Sequence, residues 1–136
     1  MNSTADHSFA PYVRSVLRII AGFTFSLHGM QKLLGLFGGT RFPLSDIHGV
    51  AGVIETVGGI LIILGLFTRP VAFILCGEMA TAYFMVHFRR GFWPVRNGGE
   101  LAVLYCFIYL YLFTAGAGAW SLDALLKRRK GEAGQG

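Results

Sequence analysis

Apolar residues gather in four long stretches, Val13–Phe37, Ile47–Phe67, Pro70–Phe88 and Glu100–Ala119, divided by short segments rich in glycine, proline and arginine. Each stretch is close to the ~20 residues a helix needs to cross a ~30 Å hydrocarbon core. The pattern predicts an all-α fold, a bundle of four transmembrane helices. Polar residues interrupt the stretches at defined points. Arg18 and His28 lie inside the first, Glu55 near the middle of the second, and Glu78 near the middle of the third. A charge at bilayer depth costs about 2.5–3.5 kcal/mol on insertion scales, so such residues face a bundle interior, pair, and mark function.

The intervening segments complete the organisation. Residues 1–12 read as an N-terminal tail, residues 13–126 as one membrane domain, and residues 127–136 as a basic, Gly-rich C-terminal tail. Gly38–Asp46 is turn-rich and long enough for a re-entrant loop or a short interfacial helix. Phe67-Thr68-Arg69-Pro70 is minimal, and Pro70 suits the first turn of the third helix. Arg89–Gly99 sets Arg89, Arg90 and Arg96 among Phe92, Trp93 and Pro94, the composition of a headgroup-level segment. Ser121 is a candidate N-cap for a short final helix. Leu34-Gly35-Leu36-Phe37 is echoed by Leu64-Gly65-Leu66-Phe67, either as a duplicated helix end or as a coincidence of apolar composition.

Composition sharpens the membrane reading. Apolar residues make up 54% of the 136 and charged residues 14%, against about 25% charged in soluble domains. The net charge of +5 comes from basic residues at the ends of apolar stretches, which fits anionic lipid and argues against nucleic acid. The N-terminal stretch holds His28, Gln31 and Lys32 without a small-x-small cleavage site, so it reads as a retained helix. Of the twelve Lys and Arg, seven fall on the side of both termini and five on the other. That bias puts both termini in the cytoplasm of a multi-pass inner-membrane protein. Cys76 and Cys106 lie within predicted spans and have no CxxC partner. They read as small buried hydrophobes, and a redox pair would need helices three and four to bring them together. No metal motif is present.

Depth along the helices, at ~1.5 Å per residue, matches Arg18 at about 8 Å with Glu78 at about 12 Å. It also matches His28 at about 22 Å with Glu55 at about 18 Å. Lys32, His87 and Glu100 gather near the outer boundary. These pairs either fix helix register in lipid or line a polar pocket for a ligand, a quinone or protons. His28, Gln31 and Lys32 share one helix face, with Lys32 expected to snorkel outward. Tyr83, Tyr105, Tyr109 and Tyr111 suit packing or lipid contact, and the alternative is a quinone pocket. Gly49, Gly52, Gly58 and Gly59 allow close helix approach.

The combination resembles the DoxX family of small four-helix bacterial membrane proteins. It is carried by Arg18 with Gly22, His28-Gly29-x-x-Lys32, Glu55-x-x-Gly58-Gly59 ending in Gly65 and Arg69, and Glu78 followed by His87. Phe92-Trp93-Pro94, Asn97-Gly98-Gly99-Glu100 and Trp120-Ser121-Leu122-Asp123 complete it, over residues 12–126. The resemblance implies a ligand-facing set of Arg18, His28, Lys32, Glu55, Glu78, His87, Asn97 and Glu100. It further implies association with membrane redox complexes, as a quinone-handling protein or the membrane subunit of a thiol or sulfur oxidoreductase. The alternatives are a non-catalytic anchor for soluble partners and a small transporter or proton path. The bilayer, soluble redox enzymes and further copies of the chain are the partners in view.

Overall fold

The computed structural model describes residues 9–134. Among them are six α-helices and no strand: α1 (Ala10–Leu34), α2 (Ile47–Leu64), α3 (Thr68–Ala82), α4 (Pro94–Asn97), α5 (Glu100–Ala115) and α6 (Leu122–Ala133). The expected N-terminal tail lies outside the described residues over 1–8, and Ala10–Tyr12 already belong to α1. The basic run Lys127–Lys130 is helical, since α6 continues to Ala133.

Local chemistry sets the helix ends. Asp46 caps α2 by accepting the His48 amide at 2.8 Å, and that bond holds its exposed carboxyl below the usual range. Ser121 caps α6, accepting the Ala124 amide at 3.1 Å. The Leu-Gly-Leu-Phe echo is an echo of backbone conformation. Gly35 and Gly65 both close their helices at positive φ, and Phe37 and Phe67, at φ 54° and 51°, are the non-glycine residues with positive φ among the described ones. Gly38–Asp46 folds as turns rather than as an interfacial helix. At its far end α3 loosens into a π turn, Tyr83–His87, then a 3-10 turn, Phe88–Arg90.

Two antiparallel hairpins, α1–α2 and α3–α5, pack against each other. The first is a glycine seam. A Cβ on Gly22 would lie 2.8 Å from the Gly59 carbonyl oxygen, and one on Gly29 would lie 2.5 Å from the Thr56 nitrogen. Without side chains there, the two backbones touch, the contact that holds helices together in lipid. Between the hairpins Phe25, Ile62, Leu75, Tyr109 and Leu112 form the buried core. The outward faces are apolar instead of polar, with Ile20, Phe23, Val57, Phe73, Phe84 and Phe107 exposed. α2 and the continuous Thr68–Arg90 segment are long and apolar enough to cross a membrane. Arg14, Arg18 and Lys32 break the apolarity of α1, and α5 is short at 16 residues.

At the end of the bundle where both described termini lie, arginines close the helix C-termini. Arg18, fully buried, donates from Nε to the Ala117 carbonyl at 2.8 Å and from Nη1 to the Ile63 carbonyl at 2.5 Å. It also bonds the carbonyls of Ile62 and Trp120. Arg14 reaches the Ala115 carbonyl at 2.8 Å and Arg69 the Thr114 carbonyl at 2.7 Å. The last carbonyls of a helix lack intrahelical partners and carry the negative end of its dipole, so a guanidinium suits them. Asp123 answers at the opposite polarity. Its carboxylate accepts the Phe67 and Thr68 amides, both at 2.9 Å, at the start of α3. The expected Arg18–Glu78 pair therefore does not form. Backbone carbonyls, which a count of charged side chains omits, satisfy Arg18.

Candidate functional site

A cavity of about 260 Å³ opens at the end of the bundle opposite Arg18. α1 supplies Phe25, His28 and Lys32, at the i, i+3, i+7 spacing that places them on one face. α2 supplies Glu55, α3 supplies Met79 and Ala82, and the π turn supplies His87. Gly98 and the first turns of α5, with Leu101, Ala102 and Tyr105, close the far wall.

The polar head of the cavity is an ion pair. Lys32 Nζ lies 2.5 Å from Glu55 Oε1, with Glu55 only 2% exposed. Lys32 thus turns inward, contrary to the expectation that it snorkels out, because the buried carboxylate is the nearer and stronger partner. His28 was expected to face Glu55 as its direct partner. It shares the cavity with Glu55, but Lys32 takes the bond. His28 instead sets its ring edge-on to Tyr105 at 6.2 Å and makes no hydrogen bond among the described residues, so its nitrogens are open to a ligand.

The remaining candidates divide. His87 reaches the cavity, with Nδ1 3.3 Å from the Asn97 carbonyl oxygen. Asn97, buried, braces the rim: Nδ2 donates to the Gly91 carbonyl at 2.8 Å and to the Tyr83 hydroxyl at 3.2 Å, and Oδ1 accepts the Gly99 amide at 2.8 Å. Glu100 is exposed in the first turn of α5, where it favours the helix dipole and does not line the cavity. Glu78 stands behind the wall, within reach of the charges of Glu55 and Lys32. Both its carboxyl oxygens are buried without a partner, as are Glu55 Oε2 and the Tyr109 hydroxyl. Arg18 lies at the other end.

An aromatic block backs the site. Tyr105 and Tyr109 stack at 6.0 Å with Phe25 edge-on to both, and the Tyr105 hydroxyl donates to Thr24 Oγ1 at 2.6 Å. Tyr111 is exposed. Of the tyrosines weighed for a quinone pocket, Tyr105 lines the cavity, while Phe25 and Met79 had not been expected as walls. The spacing of 25, 28 and 32 carried that signal for Phe25.

The chain is similar to known proteins in sequence. The family model described as DoxX matches residues 13–88. The chain belongs to the DoxX family. An uncharacterised protein of Haemophilus influenzae is 48% identical over 128 residues, covering 85% of this chain and 91% of its own. An uncharacterised membrane protein of Mycobacterium tuberculosis is 28% identical, over 90% of this chain and 86% of its own. The "Putative oxidoreductase CatD" of Bacillus subtilis is also 28% identical, over 85% and 87%. No solved structure matches the chain. This DoxX protein is a membrane protein, in keeping with its family, its relative of Mycobacterium tuberculosis and its apolar outer faces.

The ion pair gives a direct prediction. Replacing Lys32 with Met leaves the Glu55 carboxylate buried and uncompensated, with an expected loss of about 3–5 kcal/mol. The double change Lys32→Met with Glu55→Gln should regain much of it. Thermal melts of the four proteins in detergent measure the cycle, and additive losses would show that the two side chains are not coupled.

Proposed function

We propose that this protein is a redox protein of the bacterial inner membrane that binds a quinone headgroup in the cavity between α1, α2, α3 and α5. The observation that carries the reading is the cavity's division into a polar head and an aromatic wall. A quinone ring has two carbonyl acceptors at its ends and apolar faces between them. Lys32 can donate to a carbonyl, His28 has unused ring nitrogens, and Tyr105 and Phe25 offer apolar contact. The volume of about 260 Å³ sits near the lower bound of ligand pockets, ~300 Å³, which suits one ring with its tail outside. The imidazoles of His28 and His87, each able to donate and accept a proton, and the unpartnered oxygens of Glu55 and Glu78 offer the proton carriers that quinone reduction needs. The oxidoreductase name of the Bacillus subtilis relative points the same way.

In this reading α1 and α5 cross the membrane beside α2 and α3, making four spans with both termini in the cytoplasm. The arginine-rich closure at the terminal end, with Arg14, Arg18 and Arg69, supports that orientation. The exposed basic face of α6 is then the surface on which a soluble redox partner or anionic lipid rests. Reporter fusions active on only one side of the membrane test the topology. Both ends should report the cytoplasm; a periplasmic signal from both would reverse the orientation, and from one alone would contradict the four spans.

Binding is tested with a short-tailed quinone titrated into the purified protein. His28→Leu and Glu55→Gln are each expected to weaken binding at least tenfold, equivalent to about 1.4 kcal/mol, while Tyr111→Phe, outside the cavity, leaves it unchanged. Equal affinity in all four proteins would remove the cavity from the quinone's path.

A further inference from the structure

Cys76 on α3 and Cys106 on α5 meet across the second hairpin, their Sγ atoms 3.7 Å apart and both thiols half-buried. Each stands about one helical turn from the cavity wall, Cys76 three residues before Met79 and Cys106 four after Ala102. The hairpin is braced on either side of the pair. Phe73 packs on Phe113 with ring centres 5.2 Å apart, and Asn97 bonds Tyr83 near the other end. A disulfide needs sulfurs ~2.05 Å apart, so the pair has only to close by a distance that side-chain rotation can supply. Packing alone does not require two thiols opposite one another.

We propose that Cys76 and Cys106 form a reversible dithiol–disulfide couple that ties α3 to α5, and that its oxidant is a quinone in the adjoining cavity. The first half stands on the thiol geometry, and the second rests on the quinone reading above. Oxidation breaks two S–H bonds and forms one S–S bond. Two electrons and two protons pass to the quinone, which becomes the hydroquinone, so the exchange balances without another reactant. The thiols lie half-buried beside the apolar core and about one turn from the cavity, so a quinone seated there is an oxidant within close reach of them. The carboxyl oxygens of Glu55 and Glu78 that lack partners can relay those two protons to the quinone.

The test uses the full-length protein in detergent, reduced and freed of oxygen. One portion receives diamide, which oxidises dithiols directly, and another a fully substituted short-tailed benzoquinone, which cannot alkylate thiols. Free thiols are counted by maleimide gel shift, hydroquinone by absorbance, and quinone binding by titration. The expected result is joint loss of both thiols with either oxidant, one hydroquinone per chain, and recovery of both thiols on reduction. In Cys76→Ser the remaining thiol should stay open to maleimide after diamide. If diamide leaves both wild-type thiols free, the couple does not exist. If diamide closes the pair but bound quinone leaves it reduced, the assigned oxidant is wrong and the binding site stands. If quinone does not bind at all, the site reading fails and the oxidant with it, while closure by diamide upholds the couple.

Discussion

The fully buried Arg18 guanidinium, bonded to four backbone carbonyls from two separate chain segments, is the interaction on which the rest of the structure hangs. Inside a membrane protein a polar group must find its partner within the protein. Arg18 answers two demands together. It neutralises the C-terminal end of α2, and it fixes the turn Gly116–Ser121 that leads into α6. Asp123, delivered by that turn, then caps α3 through the amides of Phe67 and Thr68. One side chain on α1 thereby positions the ends of three other helices. The glycine seam between α1 and α2 carries this alignment along the bundle to Lys32 and Glu55.

Function arises where the same accounting stays open. At the Arg18 end Thr68 Oγ1 is the buried side-chain atom without a partner among the described residues. The others, on Glu55, Glu78 and Tyr109, lie in or behind the cavity wall. The fold thus closes one end with backbone carbonyls and leaves spare hydrogen-bonding capacity near the other. A buried polar atom without a partner costs free energy, and a ligand or proton that satisfies it recovers that cost. The proposed cysteine couple would add a two-electron group midway along α3 and α5, about one helical turn from that cavity.

The sequence was most legible where a residue's own backbone is at issue. Ser121 caps α6 as its position implies, and the Leu-Gly-Leu-Phe echo marks two helix ends with matching left-handed residues. It was less legible where rotation about a helix axis decides. Depth placed His28 level with Glu55, and the two do share a cavity, but depth could not show that Lys32, one turn further on, reaches the carboxylate first. Residue counting put Arg18 and Glu78 at similar depths, whereas Arg18 sits at the closed end among helix-end carbonyls and Glu78 stands behind the cavity wall, near Glu55 and Lys32. Carbonyl partners for Arg18 come from helix ends and a turn far apart in sequence, and no pattern of side chains encodes them. Asn97 and Glu100 stand in one motif but serve different ends, a buried brace and an exposed helix start. Only the tertiary position separates them.

Photolabelling tests the central claim, that the cavity between the four helices holds a quinone, more directly than any variant. A short-tailed quinone bearing a photoreactive group on its ring would be activated in membranes containing the protein, and the labelled peptides identified by mass spectrometry. The account predicts labels within Phe25–Lys32 and Gly98–Tyr105, competed away by excess unlabelled quinone. Labels confined to the outward-facing Phe73, Phe84 and Phe107, undiminished by competitor, would mean that the quinone samples only the lipid surface, and would contradict the account.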